Sequence, residues 1–261
     1  MIERVGIIGV GHLASCLVEG MRRASPSLEI FLSAYLSDKA EELASEFGAT
    51  TVTENQTVAD ETDLILATTR PGDIVAACDA VSFRANQTVV STAVGVSVEL
   101  LAPAVAPAGI VRAMPITCSA INLSPTLLYP DQPKARTLFE LVGSVHALTD
   151  EEQFTPASVI AAYYGWIYAL LDETIAWTVK AGVPAQTARE LVLETTRGAA
   201  EMGLTHPEQQ LSELLESLAT PGGVTRDGLS CLRDRRSFQA WTEALDIVLE
   251  RVSAGLKSNS N

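Results

Sequence analysis

Two hydrophobic rhythms divide the chain. In roughly the first 120 residues, short apolar runs alternate with stretches of helical periodicity. Arg4–Ile8 is a brief run rich in β-branched residues and predicts a buried strand. An apolar helical stripe then starts at Leu13 and continues through Leu17, Val18 and Met21. Glu29–Ser33 predicts a second strand, residues 38–47 a helix stopped by Gly48, and Thr50–Val52 a third strand. Residues 63–68, 87–92 and 109–112 read as further buried strands. Strands alternating with helices in this way imply right-handed βαβ units and a parallel sheet, hence an α/β fold.

The rhythm changes after Asp150. Residues 150–182 carry helix formers and aromatics, and Gly182-Val183-Pro184 punctuates them. Helices are expected over residues 185–202, 207–218 and 237–256, interrupted by the turn Thr220-Pro221-Gly222-Gly223. The second half is therefore helical, with a domain boundary near residue 150.

Composition narrows the function. The 261 residues are 47% hydrophobic and 19% charged, ordinary for a folded globular chain, with a formal net charge of −14. An acidic balance argues against a nucleic-acid partner, since phosphate backbones require clustered Lys and Arg. Cys16, Cys78, Cys118 and Cys231 form no CxxC pair, so buried reduced thiols are expected rather than a disulfide or metal framework. The chain begins MIERVGIIGVG without an apolar signal core, and no run of 18 apolar residues occurs. A cytoplasmic protein with no membrane span is expected. His146 and His206 read as surface or helix-end residues, and no metal site is expected.

The chemistry-bearing motif is Gly9-Val10-Gly11-His12-Leu13-Ala14, a GxGxxA turn between a predicted strand and a predicted helix. Its first glycine permits the tight turn, its second lets a pyrophosphate approach the backbone, and Ala14 lets the helix pack on the strand. The helix start then offers unpaired N–H groups to phosphates, and His12 sits where it would touch them. This context predicts a Rossmann dinucleotide-binding domain. The end of the second strand, Ser33-Ala34-Tyr35-Leu36-Ser37-Asp38-Lys39, shows neither the acid that holds the NAD ribose nor the Arg that holds an NADP phosphate. Ser33 and Ser37 are candidate hydrogen-bonding groups, Lys39 a candidate charge and Tyr35 a candidate stacking partner for adenine, so NADP and NAD both stay open.

With these pieces in place, the chain resembles the pyrroline-5-carboxylate reductase family over nearly its whole length. The matching stretches are IIGVGHLA at 7–14, the spacing from Asn55 to Asp63, Arg70-Pro71, VVSTAVGVS at 89–97 and VRAMP at 111–115. DEEQF at 150–154, GVPAQTA at 182–188 and TPGGVTRDGL at 220–229 follow in the family's order. The resemblance implies reduction of a carboxylated cyclic imine with hydride from NADP or NAD. It also implies a Rossmann domain over residues 1–150 and an all-helical dimerisation and substrate domain over residues 151–261. By position it implies cofactor contacts at Gly9, Gly11, His12, Leu13, Ser33, Asn55, Thr69, Arg70, Val94 and Gly95. Val224 and Thr225 would hold the substrate carboxylate, because a Pro-Gly-Gly turn running into a helix presents free N–H groups to an anion. The Thr225 hydroxyl is also a candidate to reach the imine nitrogen, and the partners expected are a small carboxylated imine and a second copy of the chain, as a dimer or an oligomer of dimers.

The departures from the family's pattern fall near the substrate. His12 replaces its Asn, Ser33-Ala34-Tyr35 its Ser-Asn-Arg, and Met114-Pro115-Ile116-Thr117-Cys118 its Met-Pro-Asn-Thr-Pro. Its Ser-Gly-Ser-Gly-Pro-Ala-Tyr segment, which shapes the ring pocket, is Ala161-Ala162-Tyr163-Tyr164-Gly165-Trp166-Ile167 here. Tyr163, Tyr164, Trp166 and Tyr168 read first as core or dimer packing. Their functional reading is a pocket wall in which Tyr164 donates a proton. Asp172 and Glu173 are further candidate acids, with a solvated face as the plainer reading. Three functions follow as expectations: a reductase with an altered ring pocket, a dinucleotide binder that has lost the reaction, and a reductase of a different imine or ketone.

Overall fold

The computed structural model describes residues 2–34 and 38–259. Eight strands form one sheet: β1 (Arg4–Ile8), β2 (Glu29–Ser33), β3 (Thr50–Val52), β4 (Leu64–Ala67), β5 (Thr88–Ser91), β6 (Gly109–Met114), β7 (Thr126–Tyr129) and β8 (Val145–Ala147), in the order 3-2-1-4-5-6-7-8. The order reverses between β1 and β4, the crevice where open α/β sheets bind ligands outside the carboxyl ends of their strands. Helices α1 (His12–Ala24), α2 (Lys39–Phe47), α3 (Asn55–Glu61), α4 (Ile74–Asp79), α5 (Val98–Val105) and α6 (Pro133–Glu140) connect the strands. A short α7 (Phe154–Ser158) leads to α8 (Ile160–Lys180), α9 (Ala185–Thr205), α10 (Leu211–Leu218), α11 (Val224–Asp234) and α12 (Ser237–Asn259).

The chain divides into two compact units, Met1–Ala161 with Leu249–Asn261, and Ala162–Val248. In the first, both sheet faces are covered, which explains why β4 and β5 read as continuous apolar runs: every residue in them is buried. Ile7, Leu32, Leu66 and Val90 face one core with Leu17, Met21 and Phe139. Ile8, Ile65 and Val89 face the other with Val58, Leu101 and Val105. The expected stripe of α1 is its buried face, at Ala14, Leu17, Val18 and Met21, and Arg22 and Arg23 in its last turn suit the negative end of the helix dipole.

The sheet departs from the expected parallel form at one pairing, β6 with β7, which is antiparallel. The connection turns back at Asn122 (φ 59°), whose amide nitrogen donates to the carbonyls of Gly20 and Leu141 at 2.7 Å each.

The second unit is helical, and its apolar residues are mostly uncovered. Among its described residues, the buried hydrophobics are Ala188, Ala219 and Leu229, while Trp177 is 69% and Leu204 73% exposed. By length and composition alone, one helical stretch, Glu151–Lys180, is long and apolar enough to cross a membrane. Scattered polar residues such as Asp172 and Glu173 hide it from a search for unbroken apolar runs.

Candidate active site

The turn after β1 is built around Gly9, at φ +90°. A Cβ there would lie 2.5 Å from Thr69 Cγ2 and 2.8 Å from the Thr69 nitrogen, so neither the conformation nor the space admits a side chain. Thr68 braces the turn: its hydroxyl donates to the Gly9 carbonyl at 2.5 Å and its N–H to the Ile8 carbonyl at 2.8 Å. Thr69 turns its hydroxyl into a buried position with no partner among the described residues. Gly11 differs from Gly9: it caps α1 in extended conformation, and a Cβ there meets nothing within 4 Å. Among the described residues no side chain caps α1 and no acid occupies its first turn, which leaves the N–H groups behind His12 and Leu13 without a side-chain cap.

On the β2 side, the buried Ser33 hydroxyl donates to Asn55 Oδ1 at 2.7 Å, which joins two of the expected cofactor residues. Tyr35 and Ser37 lie outside the described residues, and Lys39 opens α2 on the surface. On the β4 and β5 side, Arg70 is exposed, Val94 is 38% exposed and Gly95 turns at φ +71°. All these segments follow strands whose carboxyl ends share one edge of the sheet. A turn closed to side chains, an uncapped helix start and an orphaned threonine hydroxyl fit a diphosphate-bearing ligand.

The second unit holds the other expected residues. Gly222 (φ +75°) and Gly223 lead into α11, and Gly223 donates its N–H to the Thr220 carbonyl at 3.0 Å. Val224 is 87% exposed and Thr225 is exposed beside it. Arg226 was not singled out in the sequence, yet it fastens this turn: Nε donates to the Ala219 carbonyl at 2.7 Å and Nη2 reaches Glu216 at 2.8 Å. Its signal was its position, since a cation in a first helical turn opposes the dipole and needs another reason to be there. The Tyr164 hydroxyl lies 2.7 Å from that of Tyr168 on the same helix. Tyr163 and Trp166 both stack edge-on against Trp241 of α12, at 5.7 and 6.1 Å, so these two rings pack helix on helix. Trp241 is a second residue that sequence reasoning missed.

His146 is exposed and within 3.2 Å of Ser144 Oγ, and His206 ends α9. No cluster of His, Cys, Asp and Glu that would hold a metal occurs among the described residues. No disulfide joins the cysteines among the described residues, and of the four only Cys78 is buried, where desolvation pushes its thiol up to about 11. Cys231 is exposed, contrary to the expectation of buried thiols.

A doubly covered sheet with a glycine turn at its switch point, followed by a helical unit, defines a Rossmann-fold oxidoreductase. Comparison with known proteins agrees. Residues 4–95 match the family model for NADP oxidoreductase, coenzyme F420-dependent, and residues 151–254 the model for pyrroline-5-carboxylate reductase dimerisation. The chain is 26% identical to pyrroline-5-carboxylate reductase of Vibrio alginolyticus, over 95% of this chain and 96% of that one. It is 24% identical to the Escherichia coli K12 enzyme of the same name, over 96% and 97%. Among solved structures, 1-pyrroline-5-carboxylate reductase of Streptococcus pyogenes superposes with a TM-score of 0.84 at 25% identity, covering 96% and 98%. The Plasmodium falciparum pyrroline carboxylate reductase, solved with NADP bound, gives 0.87 at 20% identity, covering 98% and 100%. Over nearly its whole length the chain is similar to pyrroline-5-carboxylate reductases, and its residues 151–254 match their dimerisation model.

Proposed function

We propose that this protein reduces the C=N bond of a small carboxylated cyclic imine with NADPH or NADH, as a homodimer or an oligomer of dimers. Residues 1–150 would hold the dinucleotide, and residues 151–261 would dimerise and hold the substrate. The observation that carries the reading is the uncapped start of α11 behind Pro221-Gly222-Gly223, fastened by Arg226. Such a turn holds N–H groups ready for a carboxylate before the ligand arrives, so little ordering cost remains on binding.

The backbone of Gly9, Gly11, His12 and Leu13 would take the pyrophosphate. Ser33 and Asn55 would face the adenosine ribose, and Thr69, Arg70, Val94 and Gly95 the nicotinamide half. The reduced nicotinamide supplies the hydride when bound. Val224 and Thr225 would align the acceptor carbon by gripping the carboxylate. The proton would come from Thr225, Tyr164 or water, and the Tyr164–Tyr168 hydroxyl pair lets one tyrosine donate while the other stabilises the oxygen left behind. The uncovered helices of the second unit and the dimerisation family model support self-association.

A second reading is favoured by the rings of Tyr163 and Trp166 on Trp241. A segment filled by helix packing would not form a small pyrroline slot, and the substrate would be a different carboxylated imine, or turnover would be lost. The test is oxidation of NADPH and of NADH against a panel of cyclic imines with and without the carboxylate. Turnover confined to carboxylated members supports the first reading, and equal turnover of decarboxylated members sinks the cradle. Robust reduction of pyrroline-5-carboxylate itself removes the altered pocket, and binding without turnover on the whole panel favours the lapsed enzyme.

A further inference from the structure

The motifs at 111–115 and 150–154 meet in a place the proposed reaction does not use. Arg112, on β6, is 3% exposed. Its Nη1 donates to Glu151 Oε1 at 2.8 Å, and its guanidinium lies over the Phe154 ring at 4.1 Å. The same Glu151 oxygen accepts the N–H of Val98 at 2.8 Å. Val98 is the first residue of α5, and the turn at Val94 and Gly95 lies three to four residues before it. Burial pushes the Arg112 guanidinium below its ordinary pKa, with Glu151 pulling it back up. A cation taken out of water needs a fixed partner, because unpaired burial costs several kcal/mol. Glu151 is therefore held in one geometry, and through it the start of α5.

The rest of the loop is also pinned. Thr92 donates its N–H to the Ala67 carbonyl at 3.1 Å, Ala93 to Ser91 Oγ at 3.2 Å, and the Ser97 side chain accepts from Leu100 at 3.2 Å. Of these anchors Glu151 is the most distant in sequence, 53 residues beyond Val98. In a Rossmann crevice the adenosine half lies towards β2, so the turn after β5 faces the nicotinamide half.

We propose that Glu151 is a positioning residue that acts through the Val98 N–H to set the Val94–Gly95 turn against the nicotinamide half of the dinucleotide. The inference rests on the dinucleotide reading above. It gives Glu151 no contact with the cofactor. It predicts that the two halves of the ligand respond differently when the tether is cut.

Val98→Pro cuts the tether without removing either charged residue. Proline lacks the N–H, is well tolerated at the first position of a helix, and its Cδ pushes the Glu151 carboxylate away from α5 while both charges of the Arg112–Glu151 pair remain. Ser97 already has the extended conformation (φ −80°, ψ 161°) that a residue before proline requires. Affinities of the full-length protein are measured by calorimetry for NADPH and NADH, and for 2′-phospho-ADP-ribose and ADP-ribose, which lack the nicotinamide. Val98→Pro should weaken the whole dinucleotide about five- to tenfold, the scale of one lost bond to a charged group. The nicotinamide-free fragments should bind as in the wild type. Glu151→Gln keeps an acceptor oxygen and should recover part of the affinity that Glu151→Ala loses. Parallel weakening of fragments and whole dinucleotides, or no weakening of either in Val98→Pro, overturns the proposal. A wild type that binds neither kind of ligand overturns the dinucleotide reading itself, and the two failures are told apart.

Discussion

The sheet unit and the helical unit solve the burial problem in opposite ways. In the first, β4 and β5 are buried at every position and both faces carry a covered core. In the second, five long or mid-sized helices bury three hydrophobic residues between them among those described, and leave Trp177, Leu204 and Ile247 at about two-thirds exposed or more. The sheet unit buries both of its cores within its own chain. Contiguous apolar surface like that of the helical unit belongs against a partner, so its stability is bound to protein concentration. The difference assigns the proposed cofactor site to the self-sufficient half and the proposed carboxylate cradle to the dependent half.

The sharpest way to separate them is to damage each core and follow the effect of concentration. Phe139→Ala, at a fully buried ring in the sheet unit, should lower unfolding stability by about 3–5 kcal/mol at every protein concentration. A concentration-dependent loss would mean that this core too depends on assembly. Trp177→Glu should weaken self-association about a hundredfold or more, the scale of a tryptophan removed from a desolvated interface. Sedimentation at micromolar concentration then gives monomer, while ADP-ribose still binds. A variant that remains dimeric would show that this face of α8 is not the interface.

The two motif glycines give a finer test within one turn. Gly9→Val should destabilise the fold by about 2 kcal/mol or more, since it meets a φ of +90° and the Thr69 backbone. Gly11→Val should leave the melting temperature nearly unchanged and weaken dinucleotide binding about tenfold, or 1.4 kcal/mol. Equal melting temperatures for the two variants would contradict the geometry. The smallest effect expected is that of Thr225→Val, about fivefold in turnover, or 1 kcal/mol, with dinucleotide affinity unchanged. A matching loss of dinucleotide affinity would remove Thr225 from the substrate side.

Legibility followed the range of the interactions. β1 to β6 and α1 announce themselves because each is a local pattern, a buried run or a 3.6-residue stripe. β7 and β8 did not, because the turn that leads into β7 is held by Asn122 reaching Gly20 and Leu141, contacts from distant sequence. The glycine turn of the site was readable, but its brace was not, because Thr68 earns its place only by lying 59 residues from Gly9 in sequence and next to it in space. Trp241 and Glu151 share that property. The aromatics at 163–166 were visible as unusual, but whether they wall a pocket or pack a helix depended on Trp241, about 75 residues further on.

Gly9 and Gly11 would also answer differently to selection. Gly9 would be kept by any descendant that kept the fold, whatever it bound. Gly11 has no such protection: its backbone is ordinary, its surroundings are open, and Ser, Asp or Asn would cap α1 at least as well. A lineage that stopped binding dinucleotides would be free to drift there, and a better cap would be a gain. Under the proposed function, the glycine at 11 is held by the ligand alone, so drift at this one position, with Gly9 unchanged, would mark the branch of the family where binding ended.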